Sequence, residues 1–386
     1  MAEVTFGILT SGSLTQAEIA RTLNEPCRLH HTQKRISRML AGHSEVAWAA
    51  EQVQLAHVSR HVTQDMILAI DPGDLNRDGA PKSEWRGRVR DGDTGEIVGG
   101  YPLMTVVARD VRRGKTLPLL TRLNTPQRTA FRSENHDILS VMDEVSRHIR
   151  KDLLWVIDRG GDRGILWDAW IRCERQVLVR AANQRYWCWR DRHKTAQQIA
   201  RELPLKHQGQ LRRGGPRVRF GITRVMLREH PDSPLWMIVV RHDRPEPLVL
   251  VTTRPVRGRR QGERMIHAYM DRWACEEGYR FTKQGFALES VPARRFTTLQ
   301  NLVALASLAW GLLAVWQDRD SCLIRSSRRQ KPDKALKFPF YSLLKGWQNL
   351  FRGARVLFWP LWRKRKPRSL IDDLFARNGS LATGPG

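Results

Sequence analysis

The sequence predicts an α/β protein, in which a mixed-sheet core is interrupted by a strand-rich insertion and preceded by a helical N-terminal region. Two short, fully apolar runs each end at an aspartate, as strands buried on both faces do. A later stretch is rich in Trp, Arg and β-branched residues, and apolar positions at helical spacing flank both parts. These patterns divide the chain into residues 1–60 (helical), 61–180 (first part of the core), 181–260 (insertion), 261–325 (second part of the core) and 326–386 (a basic C-terminal region).

The first sixty residues contain two segments in which apolar positions have helical spacing, Leu14–Leu23 and Lys34–Leu40. Basic residues are interleaved in the second segment. A small DNA-binding helical unit and an ordinary helical cap explain this pattern equally well.

The core begins with the apolar run Met66–Ile70, which predicts a buried strand. We expect this strand to stop at Asp71, because Pro72 keeps the preceding residue extended and favours a turn. Two further strands, at residues 95–108 and 116–123, predict a three-stranded antiparallel meander, which is followed by a helix at residues 134–149.

A second apolar run, residues 153–157, ends at Asp158 and predicts a strand of the parallel type. A helix near residues 165–174 and a strand at residues 177–179 follow, which is the strand, helix, strand order of a parallel sheet. Within the insertion, residues 236–240 and 248–252 predict strands.

Helical spacing returns after the insertion, in one helix from Gly262 to Gln284 and another from Leu302 to Trp316. The second helix is the longest apolar run but is shorter than the roughly 20 residues that span a bilayer. We therefore expect a buried core helix and no membrane association. No apolar segment at the N-terminus resembles a signal peptide, so a cytoplasmic protein is expected.

The charge balance points to a polyanionic partner. The chain has 66 Lys and Arg against 39 Asp and Glu, which gives a net charge of +27. Such an excess favours nucleic acid over a membrane surface or a merely soluble basic protein. A nucleotide-binding P-loop is excluded, because Arg109 stands where the motif around Lys115 needs its first glycine.

Asp71 and Asp158 follow the two apolar runs, and buried strands deliver such side chains to the carboxyl edge of a sheet. Either aspartate alone could simply begin a turn. Together the two carboxylates would repel each other unless divalent cations bind between them. Oxygen ligands without Cys or His select Mg²⁺ or Mn²⁺.

The third candidate carboxylate is Glu276, in a segment whose polar residues share one helical face. On a single helix, Tyr269, Arg272, Glu276 and Lys283 would fall within about a 60° arc. A carboxylate among a phenol, a guanidinium and an ammonium suits a metal-bound phosphate that is gripped by cations. The plainer interpretation is a solvated helix face with a surface ion pair between Arg272 and Glu276.

Asp71, Asp158 and Glu276 together could hold two metal ions about 3.5 to 4 Å apart. One ion would activate water or a 3′-hydroxyl, and the other would stabilise the leaving oxygen. The chemistry predicted is therefore phosphodiester transfer, in which Arg and Lys on the same helix offset charge on the phosphate.

The spacing Tyr269-(2)-Arg272-(3)-Glu276-(6)-Lys283 resembles the signature of the DDE transposases of bacterial insertion sequences, specifically the insertion sequence four family. The resemblance extends over most of the chain. It includes the aspartate that ends the first core strand, the triplet Asp158-Arg159-Gly160 and the strand-rich insertion before the glutamate.

This resemblance implies an RNase H-like core in which the three carboxylates bind two Mg²⁺ or Mn²⁺ ions. It also implies that Tyr269, Arg272 and Lys283 contact the DNA end near the cut, with Arg180 as a further DNA contact. Similar enzymes bind the double-stranded terminal inverted repeats, pair both ends as a homodimer and transfer the free 3′ ends into target DNA.

One position departs from the family. In relatives that form a hairpin, a tryptophan of the insertion stacks a flipped base, and Leu248 occupies the matching position here. Trp236 could stack a base instead, although a buried core side chain is the expected role. Trp187 and Trp189 carry the same two interpretations.

Two other functions remain open. A non-catalytic DNA-binding regulator, built on the N-terminal helices and the basic C-terminal region, would need none of the carboxylates. A structure-specific nuclease would share the metal ions but would not transfer strands. Loss of cleavage in Glu276→Gln would exclude the regulator, and products joined to target DNA would exclude the simple nuclease.

Overall fold

The computed structural model describes residues 1–92, 94–149, 152–242, 245–317 and 339–362. The N-terminal part consists of four helices: α1 (Ala2–Ser11), α2 (Gln16–Leu23), α3 (Leu29–Gly42) and α4 (Glu45–Val58). They pack against one another and against a later helix of residues 296–316, so their apolar side chains belong to the main core. The buried Asn301 fastens the two parts, because it accepts from the backbone N–H of Ala47 and donates to the carbonyls of Leu40 and His43.

Four strands build the antiparallel part of the sheet: β1 (Met66–Asn76), β2 (Gly87–Arg90), β3 (Ile97–Asp110) and β4 (Thr116–Leu123). β3 lies between β1 and β4 and is antiparallel to both. The expected meander is therefore present, and the short strand β2, which the sequence did not predict, pairs with the beginning of β3.

The prediction that the first strand stops at Asp71 is wrong, because β1 continues through Pro72 to Asn76. A proline removes one N–H from the sheet and is tolerated where a strand lacks a neighbour on one side. β5 pairs with β1 only at Ile67–Ala69, so beyond this point β1 is paired with β3 on one side.

The second half of the core is parallel. After α5 (Glu134–His148), the chain forms β5 (Leu154–Ile157), α6 (Gly164–Arg172) and β6 (Val177–Arg180). β5 is parallel to both β1 and β6. The core order is thus β4-β3-β1-β5-β6 with β3 reversed, and the predicted RNase H-like mixed sheet is confirmed.

The insertion contributes six strands and a short helix. These are β7 (Tyr186–Trp189), β8 (Arg192–Thr195), α7 (Ala196–Glu202), β9 (His207–Gln210), β10 (Arg217–Leu227), β11 (His230–Arg241) and β12 (Leu248–Thr252). β12 pairs with β6, so the insertion and the core form one twelve-stranded sheet. Trp187, Trp189 and Trp236 are buried, in agreement with the core role expected for Trp236.

The two faces of this sheet are covered by different helices. On one face, α8 (Arg259–Asp271) packs its Met265 and Ile266 against side chains such as Leu154 and Leu178. On the other face, α9 (Ala274–Gly285) and α10 (Phe296–Trp316) share a core with Trp155 and with α11 (Phe340–Trp362). Successive residues of a strand point to opposite faces, which explains why β5 contributes to both cores.

α10 has 21 residues, and 89% of its most apolar window is buried within the fold. Among the described residues it is the one helix that is long and apolar enough to cross a membrane, and here it is the centre of a protein core. α11 lies inside the expected basic C-terminal region, residues 326–386. The rest of that region, including Arg363–Lys366, lies outside the described residues.

Candidate active site at the carboxyl edge of the sheet

Asp71 stands on β1 just beyond the last residue that pairs with β5. Its side chain therefore lies at the point where the sheet opens between these two strands, 19% exposed. Asp158 directly follows β5 and caps a short turn, since its Oδ1 accepts from the N–H of Gly160 at 2.9 Å. Asp71, which lies inside β1 just past its pairing with β5, and Asp158, which follows β5, thus reach the same edge, as the sequence predicts.

The loop that carries Asp158 is fastened by Asp162, which sequence reasoning did not single out. The fully buried carboxylate of Asp162 accepts from Trp167 Nε1 (2.8 Å) and from the N–H of Ala182 (2.6 Å), and pairs with Arg185 Nε (2.5 Å). Burial raises the pKa of Asp162, while these donors oppose the rise. Because Ala182 lies just after β6, this network joins the ends of the two parallel strands.

The segment expected as one helix from Gly262 to Gln284 is two helices, and that prediction is wrong. α8 ends at Asp271 and α9 begins at Ala274, with Arg272 and Trp273 between them. The break is required because α8 and α9 pack on opposite faces of the sheet, so the chain must cross the sheet edge between them. The Cys275 thiol donates to the carbonyl of Ala69 at 3.2 Å and anchors the start of α9 to β1.

Arg272 lies at this crossing and bridges two of the predicted carboxylates. Its Nη1 donates to Asp71 Oδ1 at 2.7 Å and its Nη2 to Glu276 Oε1 at 2.6 Å. Since both bonds come from one planar guanidinium, these two oxygens lie within about 8 Å of each other. With 12% of its side chain exposed, Arg272 is largely enclosed between the carboxylates, so its bond to Glu276 is not a solvated surface ion pair.

Tyr269 and Arg180 extend the site on the face of the sheet that α8 covers. Arg180, at the end of β6, lies close to the Tyr269 phenol, and the Arg272 guanidinium lies 6.0 Å from the Tyr269 ring centroid. Burial raises the pKa of Tyr269, against the opposing effect of Arg272 and Arg180. The phenol therefore stays protonated and can donate a hydrogen bond to a phosphate oxygen.

Lys283, the last residue of the predicted motif, has acidic neighbours. Its Nζ lies 2.8 Å from Glu289 Oε1 and 3.7 Å from Asp74 Oδ2, and 4.4 Å from the ring centroid of Tyr279. Only 9% of the side chain is exposed. In this structure Lys283 ties α9 to β1, and its predicted contact with DNA stays a prediction.

The electrostatics of Asp71 link the three carboxylates. Burial raises the pKa of Asp71 to about 7; Arg272 opposes the rise, and the nearby charges of Asp158 and Glu276 add to it. Burial alone would lower the pKa of Arg272, but Asp71 and the neighbouring Tyr269 and Glu276 raise it above its ordinary value. Arg272 is therefore a permanent cation, and the three carboxylates interact across the same small volume.

An open cavity of about 970 Å³ is lined by Asp71, Asp158, Arg272, Glu276 and Lys283, together with Trp273 and Arg280. Trp273 is 46% exposed and donates from Nε1 to Glu277 Oε1 at 3.2 Å. Sequence reasoning did not single it out, although an aromatic residue directly after the motif arginine was the available signal. Its ring is an exposed stacking surface beside the carboxylates.

The donor set of the cavity suits a hard divalent cation, since Asp71, Asp158 and Glu276 offer carboxylate oxygens without Cys or His. The arrangement, however, is not closed around a cation. Among the described residues, no three metal-ligating side chains converge on one point. Arg272 lies between Asp71 and Glu276 and supplies the positive charge that these carboxylates require.

No family model and no curated protein matches the chain. Among solved structures, the whole chain aligns with 77% of a piggyBac transposase, in a synaptic complex with hairpin DNA, at 12% identity and a TM-score of 0.47. A second alignment joins 98% of the chain to 90% of the Drosophila P element transposase, in a strand transfer complex, at 10% identity and a TM-score of 0.20. The function is therefore inferred from the site itself.

Proposed function

We propose that the protein is a transposase of the DDE type, which cleaves the ends of a mobile element and transfers their 3′ ends into target DNA. One observation supports this most directly. Three carboxylates from three separate elements, Asp71 on β1, Asp158 after β5 and Glu276 on α9, line one cavity together with the largely enclosed Arg272. Phosphodiester transfer needs this combination of carboxylates and fixed cations.

In this proposal Asp71, Asp158 and Glu276 would hold two Mg²⁺ or Mn²⁺ ions. The ions would supply Lewis acidity and an activated water or 3′-hydroxyl. Arg272, Tyr269 and Arg180 would bind the phosphate on either side of the cut, through charge-assisted hydrogen bonds. For Arg272 this requires a change of partner, because its guanidinium is bonded to two of the carboxylates in the free protein.

The proposed substrate is double-stranded DNA, namely the terminal inverted repeats of a bacterial insertion sequence and a target duplex, with a homodimer pairing the two ends. The net charge of +27 supports a nucleic-acid partner. The Tyr269, Arg272, Glu276 and Lys283 spacing supports the insertion sequence four family. A cytoplasmic, nucleoid-associated location follows from that substrate.

The test uses a supercoiled plasmid that carries the DNA flanking the gene on both sides. With Mg²⁺, the wild-type protein should release the intervening segment and join it to a second plasmid. Glu276→Gln should abolish cleavage and leave DNA binding intact, whereas the neighbouring Glu277→Gln should keep both. Glu277 is the matched control, since it follows Glu276 on α9 and its carboxylate is bonded to Trp273, just before the helix.

Each result separates the alternatives. Cleavage by Glu276→Gln, or cleavage by the wild type in a chelator, would overturn the proposed chemistry. Binding without any cleavage would favour the DNA-binding regulator. Cleavage products that never join the second plasmid would favour the nuclease.

A further inference from the structure

The hairpin of β10 and β11 carries an unusual concentration of positive charge at one end. Arg219 of β10 lies directly opposite Arg241 of β11 in the strand register, and Arg217 stands two residues further along the same face of β10. Like charges directly opposite each other on a sheet are destabilising. All three side chains are exposed, and none forms an ion pair with a described residue.

Fold stability does not explain this arrangement. Within the described part of the chain, the guanidinium groups make one hydrogen bond, a long contact of 3.5 Å from Arg219 Nη2 to the carbonyl of Leu205. Substitution of either partner of the facing pair would relieve repulsion. A row of arginines without counterions among the described residues is typical of a surface that receives its counterions from a bound polyanion.

The strand pairing places this row beyond the active-site edge of the sheet. Arg180, at the end of β6, pairs with Leu250 of β12. Leu250 in turn pairs with Ile238 of β11. Arg241 stands three residues further along in the direction in which β6 ends. At about 3.3 Å per residue and 4.8 Å per strand, the Cα atoms of Arg241 and Arg180 are therefore roughly 14 Å apart.

Arg217, Arg219 and Arg241 all lie on one side of the active-site carboxylates along the sheet. Along the sheet, the order β4-β3-β1-β5-β6-β12-β11-β10 places the strands that carry Asp71 and Asp158 in the middle. The N-terminal helices pack on the β4 side through α4 and α10. The arginines of the hairpin lie on the opposite side of the carboxylates.

We propose that Arg217, Arg219 and Arg241 bind the phosphate backbone of the DNA that flanks the element, on the far side of the cut from the N-terminal helices. This inference rests on the proposed function, in which the carboxylates receive the phosphate to be cut, and it adds the assignment of the element end to the N-terminal helices on the other side of the carboxylates. A duplex that passes over the carboxylates then continues across the hairpin. Arginine suits this role, since its planar fork binds phosphate oxygens in pairs and reads no base sequence.

The experiment compares two duplexes taken from the boundary of the gene's terminal repeats. One ends at the boundary, and the other continues for about two helical turns, or ~20 base pairs, into the flank. Affinities are measured in a chelator over a range of salt concentrations, so that cleavage plays no part. The variants are Arg219→Ala, Arg241→Ala and the triple variant that also contains Arg217→Ala.

Arg228→Ala is the matched control. Arg228 is an exposed arginine of the same hairpin, but it stands in the turn at the opposite end, away from the carboxylates. Its replacement removes the same charge and should leave the affinity for both duplexes within about twofold of the wild type, because it makes no phosphate contact.

We expect the triple variant to bind the flanked duplex at least about tenfold more weakly than the wild type, and the duplex without flank equally well. Each lost phosphate contact should also make the salt slope of the flanked duplex less steep by about 0.9. Each single variant should show part of this effect. The melting temperature should stay the same or rise, since the facing charges are relieved.

Two outcomes overturn the inference. If the triple variant binds both duplexes like the wild type, the row does not contact DNA. If it weakens both duplexes equally, the row contacts the element end and no flank. Failure of the proposed function is a separate result, because it is read from the absence of metal-dependent cleavage by the wild-type protein and leaves the affinity comparison intact.

Discussion

Arg272 Nη1 lies 2.7 Å from Asp71 Oδ1, although one residue stands between two helices and the other on the first strand of the core. The same guanidinium binds Glu276. In the free protein, therefore, two of the proposed metal ligands already have a cation. A divalent ion must compete with Arg272 for these oxygens, and a phosphate that attracts Arg272 would release them.

This competition predicts the effect of Arg272→Met on metal binding. Methionine keeps much of the aliphatic stem but carries no charge, so Asp71 and Glu276 lose their shared donor. A hydrogen bond to a charged group is worth about 1.5–3 kcal/mol, so the affinity for Mn²⁺ without DNA should rise at least about tenfold while cleavage falls. Mn²⁺ binding is measured by electron paramagnetic resonance.

Arg280→Met is the control, because Arg280 lines the same cavity and pairs instead with Glu277, at 3.8 Å. Its replacement should change Mn²⁺ affinity far less. An Arg272→Met protein that binds Mn²⁺ no more tightly than the wild type would show that Arg272 and the metal do not compete.

The raised pKa of Asp71 predicts how stability depends on pH without metal. Burial raises this pKa from 3.8 to about 7, so the folded protein binds more protons than the unfolded chain between these values. The contribution of Asp71 to the free energy of unfolding is complete below the unfolded pKa and is lost as the pH rises through about 7. The slope is at most about 1.4 kcal/mol per pH unit.

Urea unfolding in a chelator, from about pH 5 to about pH 8, measures this dependence. Asp71→Asn removes the titrating group, so its stability should fall less over the same interval. Parallel curves for the two proteins would mean that Asp71 keeps an ordinary pKa.

The buried Asp162 predicts a large loss of stability in Asp162→Ala. The substitution leaves the N–H of Ala182 and the indole of Trp167 without their acceptor and leaves Arg185 without its partner. Breaking a buried pair in this way costs about 3–5 kcal/mol in the free energy of unfolding. Glu18→Gln, which breaks the exposed pair with Arg21, should cost less than about 1 kcal/mol. Equal effects of the two substitutions would contradict a structural role for Asp162.

Gly278→Ala tests the packing that holds Glu276 in place. A Cβ atom at Gly278 would stand 1.9 Å from Cη2 of Trp310, so α9 would have to move away from α10. Such overpacking costs about 1–3 kcal/mol, and because Glu276 lies on the same helix, cleavage should fall together with the melting temperature. Gly42→Ala at the end of α3 meets no atom within 4 Å and serves as the control. A variant at Gly278 with normal stability would show that this contact is easily relaxed.

The parts of the fold that follow from local pattern were predictable from the sequence. Asp71 and Asp158 end apolar runs, and such runs are buried strands whose ends meet at one edge. The meander and the strand, helix, strand unit follow from equally local signals. The break between Tyr269 and Glu276 does not, because helical spacing continues through it. The chain turns there because α8 and α9 cover opposite faces of the sheet, and this is visible only in the folded structure.

Ion pairs between residues that are distant in the chain also could not be predicted from the sequence. The pairing of Lys283 with Glu289 and Asp74 depends on β1 running past Pro72, which its proline and glycine argued against. The sequence predicted Arg272 as a phosphate contact, with a surface pair to Glu276 as the plainer interpretation, and gave no sign of a bond to Asp71. Its second bond, to Asp71, exists because α9 packs against β1.

The pairing of β12 with β6 limits how the protein can be shortened or recombined. Removal of residues 181–252 would leave β6, beside the active site, as an exposed edge strand with unpaired N–H and C=O groups. A minimal core of this kind would aggregate through this exposed edge. An exchange of insertions between related chains would succeed only if the incoming segment ends in a strand that can take the place of β12.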